Sequence, residues 1–213
     1  MSNKSMVRSF TPVAGMVLLA ACGGSAAQDQ APSTATINEA ASSETQIGWG
    51  GQWEVRKDAS TLSFTGKQNG KAFTGTFRDF DADIHFDPDN LNEAAITVTV
   101  TMKSAKIGDR QKDSALPGND WFAVKDYPQA VFRSEAITAS ADGGYLAEGT
   151  LTMRDASKEL ALPFTVDIDG DSAQARGSVT IIRTDFGVGQ GEWQSGQWVA
   201  LEVDIDFEIS ATR

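Results

Sequence analysis

The clearest pattern in the sequence is a strict alternation of apolar and polar residues from Trp198 to Ala211. The residues between the apolar ones are mostly acidic or small, and the apolar positions are Val199, Leu201, Val203, Ile205, Phe207 and Ile209. Because successive side chains of a strand point to opposite faces, this pattern predicts one long strand with an apolar face and an acidic face. At about 3.3 Å per residue the strand would exceed roughly 40 Å, and it needs neighbours with the same two-sided character.

The same period of two continues through most of the chain from Trp49 onward. The apolar face changes parity at Arg78-Asp79, as it does at a β-bulge, so a bulge is predicted there. With 51–67 and 71–86 each taken as one bent strand, about eight strands follow one another in antiparallel order. The pattern predicts the other strands over 95–103, 131–137, 145–153, 160–168 and 173–182.

Eight consecutive antiparallel strands predict an all-β fold that closes into a barrel. Eight is the number at which an up-and-down sheet encloses side chains or one small ligand, and closure removes exposed edges. A two-sheet sandwich is the alternative, less favoured because the strands are long and no connection has the length of a Greek-key crossover. The domain is expected to span 49–213, without internal repeats and without a second domain.

The stretch from Ser104 to Pro128 has no period of two and is predicted to be a short helical and loop insertion. One or two helical turns are expected, with Asn119 or Asp120 capping a turn that carries Trp121 and Phe122. Arg110 and Asp113 lie one helical turn apart in the same segment. Two interpretations fit equally well, a cap that fills the barrel end with aromatic side chains and a gate for a ligand.

Acidic residues outnumber basic ones by 29 to 18, which gives a formal net charge of −11. A nucleic-acid partner requires a basic patch, and no Lys/Arg cluster forms one here, so nucleic acid is excluded as the expected partner.

The N-terminal residues have the organisation of a bacterial lipoprotein signal. Basic Lys4 and Arg8 precede a short apolar run over 13–19, and Leu19-Ala20-Ala21-Cys22 resembles a lipobox. We therefore expect a signal peptide over 1–21, cleavage before Cys22 and acylation of Cys22, the only cysteine. An ordinary signal peptide with a chance cysteine is the alternative. Two or more acyl chains on Cys22 would anchor the protein to the inner or outer membrane from the periplasmic side.

Residues 22–48 are rich in Ala, Ser, Thr, Gln and Glu and contain almost no large apolar side chain. Such a segment buries too little surface to offset the entropy of ordering it, so a disordered tether is predicted. A surface helix over 37–45 is the alternative.

No catalytic or metal-binding constellation is visible in the sequence. His85 is the only histidine and falls with Asp81 and Asp83 on the polar face of its strand, which favours a solvated side chain over a catalytic base. The run from Asp167 to Asp171 resembles the start of a calcium loop, but Ser178 stands where the loop needs Glu. We therefore expect neither an enzyme nor a metal site nor a resident cofactor.

Several stretches together resemble the YceI family of secreted bacterial proteins, in order over about 50–213. The matching blocks are Asp58 with 60–64, Phe77-x-x-Phe80 continuing to Pro88, Ser104 with Arg110-x-x-Asp113-x-x-Leu116, Trp121-Phe122, Tyr127-Pro128-x-Ala130-x-Phe132-x-Ser134, 149–155 with Lys158, and 183–187.

The resemblance implies a lipocalin-like eight-stranded barrel whose elongated apolar cavity binds a polyisoprenoid or an isoprenoid quinone. It also implies a periplasmic location and, since some relatives are fused to cytochrome b561-type domains, a membrane redox protein as a further partner. Many relatives carry a His after the first long strand, where this chain has Lys67-Gln68.

The expected function is therefore non-catalytic binding and transport of an isoprenoid lipid. The alternative is a barrel plugged by its own side chains that acts as a protein-interaction module of the cell envelope. In the first case Arg110, Asp113, Trp121 and Phe122 would lie at the mouth, the charged pair meeting a polar head group. The apolar lining would be Phe64, Phe73, Ile96, Val98, Val100, Phe132, Leu151, Leu162 and Phe164, with Val179 and Val203.

Overall fold

The computed structural model describes residues 51–213, so the predicted signal peptide, Cys22 and the tether lie outside the described residues. Eleven strands carry this part of the chain: β1 Gln52–Val55, β2 Thr61–Gln68, β3 Lys71–Phe77, β4 Phe80–His85, β5 Ala95–Thr101, β6 Ala105–Lys106, β7 Gln129–Ala139, β8 Tyr145–Met153, β9 Ala156–Asp169, β10 Ser172–Ile182 and β11 Glu202–Thr212. One α-helix, α1, spans Arg110–Ala115. Short 3₁₀ turns lie at Lys57–Ala59, Leu91–Glu93, Met102–Ser104, Arg183–Phe186 and Gly191–Trp193.

The strands form a closed antiparallel barrel. Neighbours follow the order β1-β4-β5-β7-β8-β9-β10-β11, and β11 pairs back with β1, which closes a ring of eight. β2, β3 and β6 continue β1, β4 and β5 beyond short interruptions, and β2 also pairs with β11. The predicted eight-stranded all-β barrel is confirmed, including the two bent strands at its start.

The predicted irregularity at Arg78-Asp79 separates β3 from β4. Phe77 and Phe80 are both buried although they are three positions apart. In one regular strand, residues at an odd spacing would lie on opposite faces. The 3₁₀ turn Met102–Ser104 interrupts the partner strand opposite, and the Thr101 N–H donates to the Asp79 carbonyl over 3.0 Å. The extra residues on both strands let the sheet bend while the apolar side chains stay inside.

The closing strand begins at Glu202, four residues later than the alternation predicts. From Glu202 onward it pairs with β10 over eleven consecutive positions, ending at Thr212 opposite Ser172. Val199 makes only an isolated bridge to Gln68, and the Val199 and Ala200 carbonyls accept hydrogen bonds from the Arg183 side chain. The alternation continues there, and the backbone still bonds to β2 and the turn after it through the Ala200 N–H and the Trp198 carbonyl, but the Val199 and Ala200 carbonyls are taken by a side chain.

The predicted insertion is present, and it contains one short helix with a side-chain cap at its start. Asp109 caps α1, and its Oδ1 accepts hydrogen bonds from the N–H groups of Gln111 (2.9 Å) and Lys112 (3.0 Å). The predicted turn that carries Trp121 and Phe122 is present as well, but neither the Asn119 nor the Asp120 side chain accepts a hydrogen bond as its cap. In this turn the Trp121 N–H donates to Gly118 and the Phe122 N–H donates to Leu116.

Across 51–213, no helix is long and apolar enough to cross a membrane.

Candidate ligand-binding site

The inside of the barrel contains a cavity of about 190 Å³, here called the deep chamber. Every side chain that lines it is apolar, because each strand turns its apolar positions inward. Eight residues expected at the lining are present: Ile96, Val98, Val100, Phe132, Leu151, Leu162, Phe164 and Val179. The deep chamber is also lined by Trp53, Phe86, Ala173 and Phe207, which were not among the expected ligand contacts.

Aromatic side chains close the far end of the deep chamber. The Phe86 ring meets the Tyr145 ring edge-on at 4.9 Å between centroids, and Tyr145 stacks on Phe164 at 5.4 Å. The Trp53 indole Nε1 donates to the Phe86 carbonyl over 2.9 Å, so its polar atom is satisfied within an apolar surrounding. This end of the barrel is therefore filled by side chains.

A second cavity of about 260 Å³, the outer chamber, lies between the other end of the barrel and the insertion. Five expected residues line it: Phe64, Phe73, Trp121, Phe122 and Val203. Unlike the deep chamber, it also has polar lining residues, namely Gln68, Asp109, Gln111, Lys112 and Arg183.

The two chambers adjoin each other at a waist. Phe77, Met153, Ile181 and Ile205 line both cavities. Met153 is the one unbranched, readily rearranged side chain among these four. The protein thus encloses an entirely apolar chamber and, next to it, a chamber with a more polar lining, and these four side chains form the waist between the two.

The mouth is built by two loops that contact each other. The Asp120 carbonyl in the insertion accepts hydrogen bonds from the N–H groups of Gly189 and Gln190, both at 2.7 Å. The rings of Trp121 and Trp193 lie 5.7 Å apart between the same two segments. The insertion and the 183–201 loop therefore form one rim around the outer chamber.

Arg183 anchors this rim from inside. It is only 3% exposed, and its guanidinium donates to the carbonyls of Ala200 (2.9 Å), Val188 (2.7 Å), Val199 (2.8 Å) and Trp193, with Gly189 at 3.5 Å. Gly189 has a φ of +85°, and Arg183 Nη1 occupies the space in which a Cβ at position 189 would stand. Burial lowers the pKa of Arg183, but arginine stays protonated in proteins.

Arg183 was not among the predicted site residues, although one signal was available. Val179 and Ile181 line the deep chamber, and Arg183 continues the same every-second-residue face beyond the end of β10. A charged residue on an inward-facing row indicates a buried polar network.

The predicted charged pair lies outside both linings. Arg110 is exposed on the first position of α1, and the Asp113 Oδ1 accepts a hydrogen bond from the Ile107 N–H at 2.7 Å, which ties α1 to the end of β6. Because a helix turns by 3.6 residues, the face that meets the cavity carries Lys112, Ala115 and Leu116 instead.

Outside the cavity, His85 is partly exposed, with its Nε2 4.0 Å from the Asp83 carboxylate. Within 51–213, no three His, Cys, Asp or Glu side chains converge as a set of metal ligands.

A family model described as a YceI-like domain matches residues 53–211. The chain belongs to the YceI-like family. The sequence resemblance drawn from the Tyr127-Pro128 and Gly149-Thr150 blocks is thereby confirmed.

Individual YceI-like relatives agree with this assignment. A UPF0312 protein of Pseudomonas savastanoi pv. phaseolicola is 27% identical over 140 residues, which cover 63% of this chain and 71% of the relative. The crystal structure of BcnA from Burkholderia cenocepacia is 34% identical with a TM-score of 0.72, covering 75% of this chain and 100% of BcnA.

A third similar structure is a polyisoprenoid binding domain from Saccharophagus degradans implicated in plant cell wall breakdown. It is 13% identical with a TM-score of 0.57, and the match covers 76% of this chain and 97% of that domain. At this identity the likeness shows the shared barrel fold.

Proposed function

We propose that this YceI-like protein binds an isoprenoid lipid without catalysing a reaction and carries or stores it in the bacterial periplasm. The observation that carries the proposal is the deep chamber, an entirely apolar space that adjoins, at the waist, a chamber with polar groups. An amphiphile with a long branched tail and a compact polar head matches this arrangement.

The burial of the inner wall supports a binding cavity over a plugged barrel. Val98, Val179 and Phe207 point inward yet remain only partly buried, because no protein side chain covers them across the deep chamber. Apolar surface left uncovered inside a protein is unfavourable by about 25 cal/mol per Å², and a tail in the chamber would remove that cost. The alternative of a self-plugged interaction module requires a lumen filled by side chains.

The energetics favour a carrier that exchanges its ligand slowly. At about 0.8 kcal/mol per buried CH₂, each isoprene unit is nominally worth several kcal/mol. Non-covalent affinity saturates near about −20 kcal/mol, so much of the gain for a long tail is lost to ordering it. The polyisoprenoid binding domain from Saccharophagus degradans, which shares the fold, supports the same class of ligand.

The proposal includes an anchor. Acyl chains on Cys22 would hold the carrier at a membrane from which it could take up its lipid. We also predict a membrane redox protein of the cytochrome b561 type as a partner of the carrier.

Mass spectrometry of bound lipid tests the proposal. The full chain with Cys22→Ser would be exported, purified without detergent and extracted with organic solvent. We expect a stoichiometric isoprenoid from this protein and a strongly reduced amount from the additional variant Val98→Trp, whose indole would occupy the deep chamber. The matched control is Thr97→Trp on the outer face of the same strand, which should retain the lipid.

An empty extract from folded protein that also fails to take up added quinone or polyprenol would refute the carrier function. Membrane fractionation in the same experiment tests the anchor, since the chain with an intact Cys22 should sediment with membranes and Cys22→Ser should not.

A further inference from the structure

The outer chamber carries a net positive charge inside a strongly acidic protein. Its lining contains two cations, Lys112 and Arg183, and one carboxylate, Asp109, whereas the whole chain has a formal charge of −11. The Asp109 carboxylate accepts two hydrogen bonds from backbone N–H groups of α1 and so caps the helix. Two cations against one carboxylate leave the lining with a net charge of one positive unit.

The ammonium group of Lys112 has N–H donors that a ligand in the outer chamber can use. Its side chain is half-buried, and its Nζ lies 4.7 Å from the centroid of the Phe73 ring, which lines the same chamber. In the part of the chain that the structure describes, no carboxylate pairs with Lys112 and no carbonyl accepts from its ammonium group. A contact with an aromatic face orients the ammonium but leaves its N–H donors unused.

Arg183 contributes charge without free donors. Its guanidinium donates to four backbone carbonyls of the 188–200 segment and approaches a fifth, that of Gly189, at 3.5 Å, and no carboxylate within 51–213 forms an ion pair with it. Its side chain stays fixed while its positive potential extends into the outer chamber. In a partly dehydrated cavity this potential acts on a ligand more strongly than it would at the protein surface.

We propose that the head group bound in the outer chamber is an anionic phosphate ester of the isoprenoid. Lys112 donates hydrogen bonds to the phosphate oxygens, and Arg183 supplies a fixed favourable potential. This inference rests on the proposed lipid-binding function and names the ligand class. A neutral alcohol or quinone could accept a hydrogen bond from Lys112, but it would leave the net positive charge of the lining uncompensated.

Ligands with one tail and different heads test the inference. Binding of geranylgeranyl phosphate, geranylgeraniol and a four-isoprene quinone to the delipidated full chain with Cys22→Ser would be followed by the change in tryptophan emission, since Trp121 and Trp193 line the outer chamber. We expect the phosphate to bind about tenfold more tightly than the alcohol at low salt, equivalent to about 1.4 kcal/mol. The difference should shrink as salt is added.

Substitution of Lys112 assigns the preference to one residue. Lys112→Met keeps the length of the side chain and should abolish the preference for phosphate without lowering affinity for the alcohol, and Lys112→Arg should retain it. The matched control is Lys125→Met, because Lys125 is exposed in the same insertion but lines neither chamber. An unchanged melting temperature shows that each variant is folded.

The outcomes separate the two proposals. Equal affinity of the unsubstituted protein for phosphate and alcohol would overturn the anionic head group while leaving isoprenoid binding intact. A preference that survives Lys112→Met would overturn the role of Lys112. Failure of every prenyl ligand to bind would refute the proposed function and this inference together.

Discussion

At the scale of single residues, glycines opposite phenylalanines keep space free in both chambers. Phe64 lies across from Gly75, Phe73 from Gly66 and Phe207 from Gly177 on neighbouring strands. In each pair the ring occupies the space where a Cβ on the glycine would stand. The rings can therefore lie flat against the wall, and the lumen is not filled by them.

Gly66→Ala should narrow the outer chamber with little loss of stability. The added Cβ would stand 2.8 Å from Cζ of Phe73, and its three nearest neighbours are all atoms of that ring, so the ring must swing away from the wall. We expect a melting temperature within a few degrees of the parent and clearly weaker uptake of a prenyl ligand, measured by fluorescence titration. The double variant Gly66→Ala/Phe73→Leu should recover uptake.

Gly177→Ala provides the contrast, since its Cβ would meet the Pro163 backbone carbonyl as well as the Phe207 ring. It should destabilise the barrel. Equal destabilisation by Gly66→Ala and Gly177→Ala would contradict the view that only a side chain has to move at Gly66.

Arg183 is the residue on which the rim depends most. Arg183→Met removes the donors of several buried carbonyls, and we expect the free energy of unfolding to fall by about 2–4 kcal/mol in urea titrations. Fluorescence of Trp193 should change before the global transition, because the 188–200 segment loses its anchor.

Arg176→Met is the control for Arg183, as Arg176 is exposed and its ion pair with Asp167 (3.0 Å) is at the surface. It should change stability by less than about 1 kcal/mol. A comparable loss in both variants would show that Arg183 has no special structural role.

At the scale of elements, strands were far easier to predict than the segments that join them. The alternation over 145–153 and over 173–182 can be recognised from neighbouring residues alone. The observed β8 and β10 agree with these ranges within one residue. The start of β11 was predicted wrongly because Arg183, sixteen residues earlier than Val199, takes carbonyls that a strand would have used. No local pattern reveals such a competition.

Helix α1 is an element whose stability should depend on pH. The hydrogen bond from the Lys112 N–H is the main cause that holds the pKa of Asp109 below its ordinary value of 3.8, with the Gln111 N–H contributing. Because the folded pKa is lower than the unfolded one, the cap stabilises α1 above the unfolded pKa, and this stabilisation is lost as the pH falls through the folded pKa.

NMR titration between pH 5 and pH 2 measures this effect. The amide signals of Gln111 and Lys112 should shift with a midpoint below 3.8, and Asp109→Asn, which keeps an acceptor without a charge, should abolish the titration. A midpoint at or above the ordinary value would contradict the capping role.

At the scale of the whole molecule, the alternation predicted the closed barrel, while the polar part of the site could not be predicted from it. The count of about eight strands was enough, since an antiparallel sheet of that number closes on itself. Most of the expected lining residues face a chamber, because the alternation also determines which side chains of each strand point inward. Lys112 and Arg183 line the same chamber only because the insertion folds over the barrel end. The spacing of Arg110 and Asp113 places them on one side of a helix, but it does not determine which way that helix faces.

The eleven-position register between β10 and β11 has an evolutionary consequence. A single inserted or deleted residue within β11 would exchange its two faces and turn carboxylates such as Asp206 into the lumen. Length can vary more readily outside the paired strands, for example in the insertion and in the 183–201 loop, both of which border the outer chamber. Such a barrel can diversify the head group it accepts through insertions and deletions, whereas its tail site can change only by substitution, one side chain at a time.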